Sequence, residues 1–145
     1  MATEKESRIV VSARRISVSA AAFVLICFFM PWVQVSCGGV KDSDSGFDLA
    51  RYSDSALWLV PFLMLAVVVI GVTQLWRRVP TLFAFLGVVS GAFAAYLINR
   101  ERLDIERAGG IVGARSTGWL WLAFFSAIIL VLSAFAFFIK RGKSP

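Results

Sequence analysis

The chain has 145 residues, 59% of them hydrophobic, with 15 Lys and Arg against 9 Asp and Glu, two cysteines and no histidine. A mean hydropathy of +0.79 lies outside the soluble globular range, and the length is that of a single domain. The +6 charge sits at the ends of apolar stretches rather than on a face between aromatics, so nucleic acid is not expected as a partner. With no histidine and only two cysteines, no metal centre or redox pair is expected either, and no cofactor is implied.

Residues 1–15 open the chain as a polar, basic tail with a small apolar cluster, Ile9, Val10 and Val11. The composition fits either a disordered segment drawn to anionic headgroups or a docking segment for a partner. Four stretches then follow, 16–33, 56–76, 79–98 and 118–139, and none contains Asp, Glu, Lys, Arg or His. A helix of about 20 residues crosses the ~30 Å hydrocarbon layer, so each stretch is long enough to span a bilayer. The expected fold class is an all-α membrane protein, a four-transmembrane-helix bundle forming one domain over 1–145, with outer loops 34–55 and 99–117. Charges inside spans mark ion paths, proton relays or counter-ions, and none occurs here.

The first stretch, entered through Arg14 and Arg15 and followed by Val35-Ser36-Cys37, has the outline of a signal peptide ending at a lipoprotein cysteine. It is long for a signal core, and Gln34 stands where such a site wants an apolar residue, so an intact first span is expected, ending at Pro31-Trp32. In the loop beyond, Val33, Val35 and Cys37 alternate with polar residues, as do Phe47 and Leu49 about Asp48. Their separation by Gly38, Gly39 and a Ser/Asp run gives the period-two pattern of a small extracytoplasmic β-hairpin with a polar tip, which needs a third strand or the bundle for support. Asp42, Asp44 and Asp48 resemble a calcium loop in composition, but Gly46 falls fifth and Ser53 twelfth, which is not the EF-hand order. A solvated acidic loop is expected. Cys27 and Cys37 would stand ~15 Å apart on a continuous helix, too far for a disulfide.

Spans two and three are joined by little more than Arg77 and Arg78, with Pro80 suited to a first helical turn, so they form an antiparallel hairpin. Gly87 and Gly91 make a GxxxG stripe extended by Ala84 and Ala95, and Ala123 and Ala127 repeat the spacing in span four. Such stripes let helices approach closely, within the bundle or against another subunit. Beyond span three, Leu103 and Ile105 fit either a third strand or a helical extension braced by Arg100 with Asp104 and Arg102 with Glu106, stopping at Gly109 and Gly110. The phenylalanines, among them Phe83, Phe124 and Phe137, suit lipid-facing and interhelical packing; a pigment or quinone pocket would use similar residues, and a pigment or haem protein complex is an alternative partner.

Lys5, Arg8, Arg14, Arg15, Arg77, Arg78, Lys140, Arg141 and Lys143 fall on one side, against only Glu4 and Glu6. The two long loops hold as many acids as bases within one residue. The positive-inside rule therefore predicts both termini in the cytoplasm. Trp32, Trp58, Trp119 and Trp121 fall at outer span ends and Trp76 at an inner one, as headgroup-level anchors do.

The segments Pro31-Trp32-Val33-Gln34-Val35-Ser36-Cys37-Gly38-Gly39 and Ser45-Gly46-Phe47-Asp48-Leu49-Ala50 resemble the first outer loop of small bacterial four-span membrane proteins. In layout and in Trp32 and Cys37 the chain is also similar to the claudin-like tetraspan arrangement, although the second loop cysteine of that family has no counterpart here. Neither resemblance implies a functional site. No histidine base stands beside Ser43 or Cys37, so no enzyme activity is expected. The expected role is a non-catalytic subunit of the bacterial cytoplasmic membrane that scaffolds or stabilises a larger complex, its partners being lipid and other membrane subunits. Two alternatives are an outer-loop binding or sensing protein and a small oligomeric transporter or channel. The candidate interaction residues are Gly87, Gly91, Ala95, Cys37, Asp42, Asp44 and Phe47.

Overall fold

The computed structural model describes residues 2–37, 40–73, 80–112 and 114–141. Arg77, Arg78, Trp76, Gly38, Gly39 and Lys143 lie outside them, and the side chain of Cys37 is also outside what is described. In chain order the elements are α1 (Ala2–Phe28), β1 (Pro31–Cys37), β2 (Val40–Ser45), α2 (Gly46–Tyr52), a 3-10 turn (Ser55–Trp58), α3 (Leu59–Val72), α4 (Pro80–Val112), β3 (Arg115–Ser116) and α5 (Gly118–Arg141). Four helical segments are long and apolar enough to cross a bilayer. They pack as a ring in which α1 touches α3 and α5, and α4 touches α5 and α3. A three-stranded antiparallel sheet of order β2-β1-β3 closes one end.

Several boundaries differ from the sequence expectation. Helix α1 begins at Ala2, so residues 2–15 continue the first helix and are not a separate disordered tail. It ends at Phe28, not beyond Pro31: Phe29 and Met30 close a tight last turn onto the Ile26 and Cys27 carbonyls, and Pro31, which has no N–H to give, starts the strand. The hairpin is also displaced. Its second strand is the polar run Val40–Ser45, and Phe47 and Leu49 lie on helix α2. Antiparallel pairing with β1 holds that polar strand extended, with Val35 opposite Asp42 and Ser36 opposite Lys41. The third strand is Arg115–Ser116, paired with Val33 and Gln34; Leu103 and Ile105 belong to α4, which runs two residues past Gly110.

The core is continuous from bundle to sheet, from Val67 and Phe83 through Val24, Leu130 and Ala94 to Phe28, Leu57 and Trp32. Small residues set the closest approaches. A Cβ on Gly87 would stand 2.9 Å from that of Ala134, and one on Gly91 would stand 2.8 Å from Val131 Cγ2. The α4 glycine face is thus filled by α5 of the same chain. Between the helices, the Ser17 and Ser133 hydroxyls meet at 2.8 Å across α1 and α5, and Arg14 donates to the Gly71 carbonyl at the last turn of α3.

Candidate functional site: the capped end of the bundle

Polar chemistry concentrates where the sheet, α2, the 3-10 turn and the far end of α4 meet. Trp32 organises this end. The β1 register slips between Pro31 and Val33, a bulge that turns both Trp32 and Val33 inward, 0% and 5% exposed. Trp32 Nε1 donates to the Cys27 carbonyl at 2.7 Å, satisfying the end of α1, and its ring packs edge-on against Phe28 at 5.8 Å. Trp32 is therefore an interior post and not an interfacial anchor; Trp119, 40% exposed, keeps the surface position expected of one.

Helix α2 is seated on that post. Gly46 opens it so close to α1 that a Cβ would lie 2.8 Å from the Phe28 carbonyl oxygen and 2.9 Å from the Trp32 ring. Ser45 and Asp48 form a capping box: the Ser45 hydroxyl accepts from the Asp48 N–H, and the Asp48 carboxylate accepts from the Ser45 N–H at 3.0 Å and hydroxyl at 2.6 Å. The Ser45 hydroxyl first, and its N–H second, hold the Asp48 carboxyl below the usual carboxylate range, with Arg51 adding to the effect. Phe47 stacks on Phe29 at 6.0 Å and meets the Trp58 ring at 5.3 Å, so it is a packing residue of the cap.

Helix α4 is tied to the cap from its side. Asp54 caps the 3-10 turn through the Ala56 N–H at 2.9 Å and offers its other oxygen to Arg100 at 3.1 Å as an ion pair. Arg100 thus reaches across to Asp54 and not along its own helix to Asp104, which is held by Arg107. Arg102 pairs with Glu106 at 3.4 Å, as its spacing implies, and lays its guanidinium 4.7 Å above the Trp121 ring of α5. Thr117 binds the sheet to α5 by donating its hydroxyl to the Pro31 carbonyl and its N–H to the Trp32 carbonyl.

The expected interaction residues fall in two separate places. Gly87, Gly91 and Ala95 lie on α4 within the helix bundle, the two glycines buried and Ala95 half-buried. Cys37, Asp42 and Asp44 lie on the hairpin, Asp42 exposed and Asp44 half-buried opposite Val33, while Phe47 belongs to α2. Asp48 is engaged in its capping box, and among the described residues no three His, Cys, Asp or Glu side chains gather as a metal site. Two open grooves flank the cap. One of about 410 Å³ is lined by Pro31, Gln34, Thr117, Trp119 and Leu122, the other of about 480 Å³ by Tyr96, Arg100, Asp104 and Arg107. Sequence reasoning missed Glu101, which is 6% exposed on the inner face of α4. Its signal was the spacing from Ala94, Leu97 and Ile98 to Ile105, which places position 101 on the same stripe.

Comparison with protein-family models, with curated proteins and with solved structures returns no match for this chain.

Proposed function

We propose that this chain is a four-span protein of a bacterial cytoplasmic membrane that acts without catalysis, by contact, as a subunit scaffolding or stabilising a larger membrane assembly. Its partners on this reading are lipid and other membrane protein subunits. Large apolar side chains point outward along the helices, among them Phe62, Phe85 and Leu132 at 64%, 61% and 62% exposure, a surface suited to lipid or to neighbouring spans. The segment Thr81–Arg107 is 27 residues, about 40 Å, against ~30 Å of hydrocarbon. Its apolar part ends at Ile98, so the charged turns from Arg100 onward stand outside the layer beside the sheet. The positive-inside bias then puts both termini in the cytoplasm and the cap outside.

The observation that carries the contact reading is the use of the polar groups. Asp48, Asp54, Arg100, Arg102 and Thr117 are all engaged in holding the chain's own cap together. A subunit of this kind works through a rigid shape. Crosslinking with mass spectrometry in native membranes, paired with mild-detergent purification, is expected to recover a larger assembly. A lone monomer in both settings overturns the reading. The edge position of β2, with Lys41, Asp42 and Ser43 exposed, favours a second reading in which the cap meets an envelope partner or ligand.

A further inference from the structure

On its core-facing side α4 buries Ala94, Leu97, Ile98, Glu101 and Ile105, the three-and-four spacing of a single helical face. One member of this apolar stripe is a carboxylic acid. Glu101 is 6% exposed, and among the described residues it makes no hydrogen bond or ion pair. The charged groups that face it are Asp54, from the turn before the 3-10 helix, and Asp104 and Arg100 on α4 itself. Arg100 is drawn to Asp54 at 3.1 Å, and Asp104 is held by Arg107 at 3.2 Å. The first turn of α5, Gly118 to Trp121, adds no titratable side chain; β3 adds only the exposed Arg115, and β1 only Cys37.

A carboxylate in this position is largely withdrawn from water, has like charges as neighbours, and shares its one close cation with Asp54. We propose that Glu101 is a proton-binding site that fastens the outer part of α4 to the cap: protonated, it lies in the apolar stripe, and on losing its proton to water it drives the segment from Asn99 outward to open. The direction follows from the environment. Burial first, then Asp54 and Asp104, push the Glu101 carboxyl above the ordinary range, with Arg100 opposing. The seated form therefore binds the proton more tightly than the open form. Seating is complete below the ordinary carboxyl range and weakens as pH rises through the raised value. This device does not depend on which partner the protein serves.

Hydrogen exchange of the full chain in phosphatidylcholine nanodiscs, corrected for intrinsic rates and followed from pH 5 to 8, tests it. In the wild type, protection across positions 98–105 is expected to fall at least tenfold, whereas Glu101→Gln holds at pH 8 the protection that the wild type has at pH 5. A flat wild-type profile, or a variant that retains the pH dependence, overturns the proposal. If Glu101→Gln does not fold, Glu101→Met carries the same expectation. Infrared difference spectra give a second readout: a protonated carboxyl band in the wild type that titrates above the ordinary carboxyl range supports the site, and its absence rejects it.

Discussion

Trp32 shows how one side chain joins two kinds of structure. Its indole N–H ends α1, its ring supports α2, and its backbone lies in the sheet. Trp32→Phe removes the hydrogen bond to Cys27 while keeping most of the ring, and a cost of about 1–2 kcal/mol is expected in thermal or denaturant unfolding of the purified chain. Trp119→Phe, at an exposed position, is the control and should be close to neutral. Tryptophan content and position along the chain did not separate the two, because an interfacial anchor and a buried post look alike in sequence when both fall at span ends. The bulge that turns Trp32 inward is a property of strand pairing, which a single segment does not display. Asp48 carries a pH prediction of opposite sign to that of Glu101. Its folded-state carboxyl lies below the ordinary value, so its contribution to the α2 cap is present above that value and is lost as pH falls through the lowered one. Near-ultraviolet circular dichroism, which reports the Phe47 and Trp58 packing beside it, should lose signal in strong acid, and Asp48→Asn should show the same loss already at neutral pH.

At the scale of elements, the helices were legible because apolar runs free of charge leave little choice, and each of the four appears with its interior where expected. Their ends were less legible. Helix α1 stops five residues short of the apolar run because Pro31 and the sheet compete for its last turn. The Phe47/Leu49 alternation suggested a strand, yet a Ser45–Asp48 capping box at the same spot starts a helix, and the capping signal was the more local and decisive one. The polar run Val40–Ser45 has poor strand propensity by itself and is extended because β1 pairs with it. The α4–α5 contact yields a further prediction. Gly91→Val places a side chain where even a Cβ would stand 2.8 Å from Val131 Cγ2 and 3.1 Å from the Ala127 carbonyl, so a loss of about 1–3 kcal/mol is expected from overpacking in a detergent unfolding assay. Gly118→Ala, which meets nothing within 4 Å, should leave stability unchanged.

For the whole molecule, the division of labour is between a bundle whose surface is apolar and a cap in which Asp48, Asp54, Arg100, Arg102 and Thr117 tie the chain's own elements together. The candidate site was only partly legible: the acidic hairpin and the glycine stripe were visible as motifs, but the ties that assemble the cap, Arg100 to Asp54 and Arg102 over Trp121, join residues remote in sequence. The longest of these ties has a consequence for how the protein is made. Thr117 bonds to Pro31 across a separation of 86 residues, and β3 comes late, after three of the four long helices. A nascent chain emerging from the ribosome therefore carries β1 with one flank open until Arg115 and Ser116 have been made, after α1, α3 and α4. A chain arrested before Arg115 presents an unsealed strand edge for proteases or chaperones to recognise.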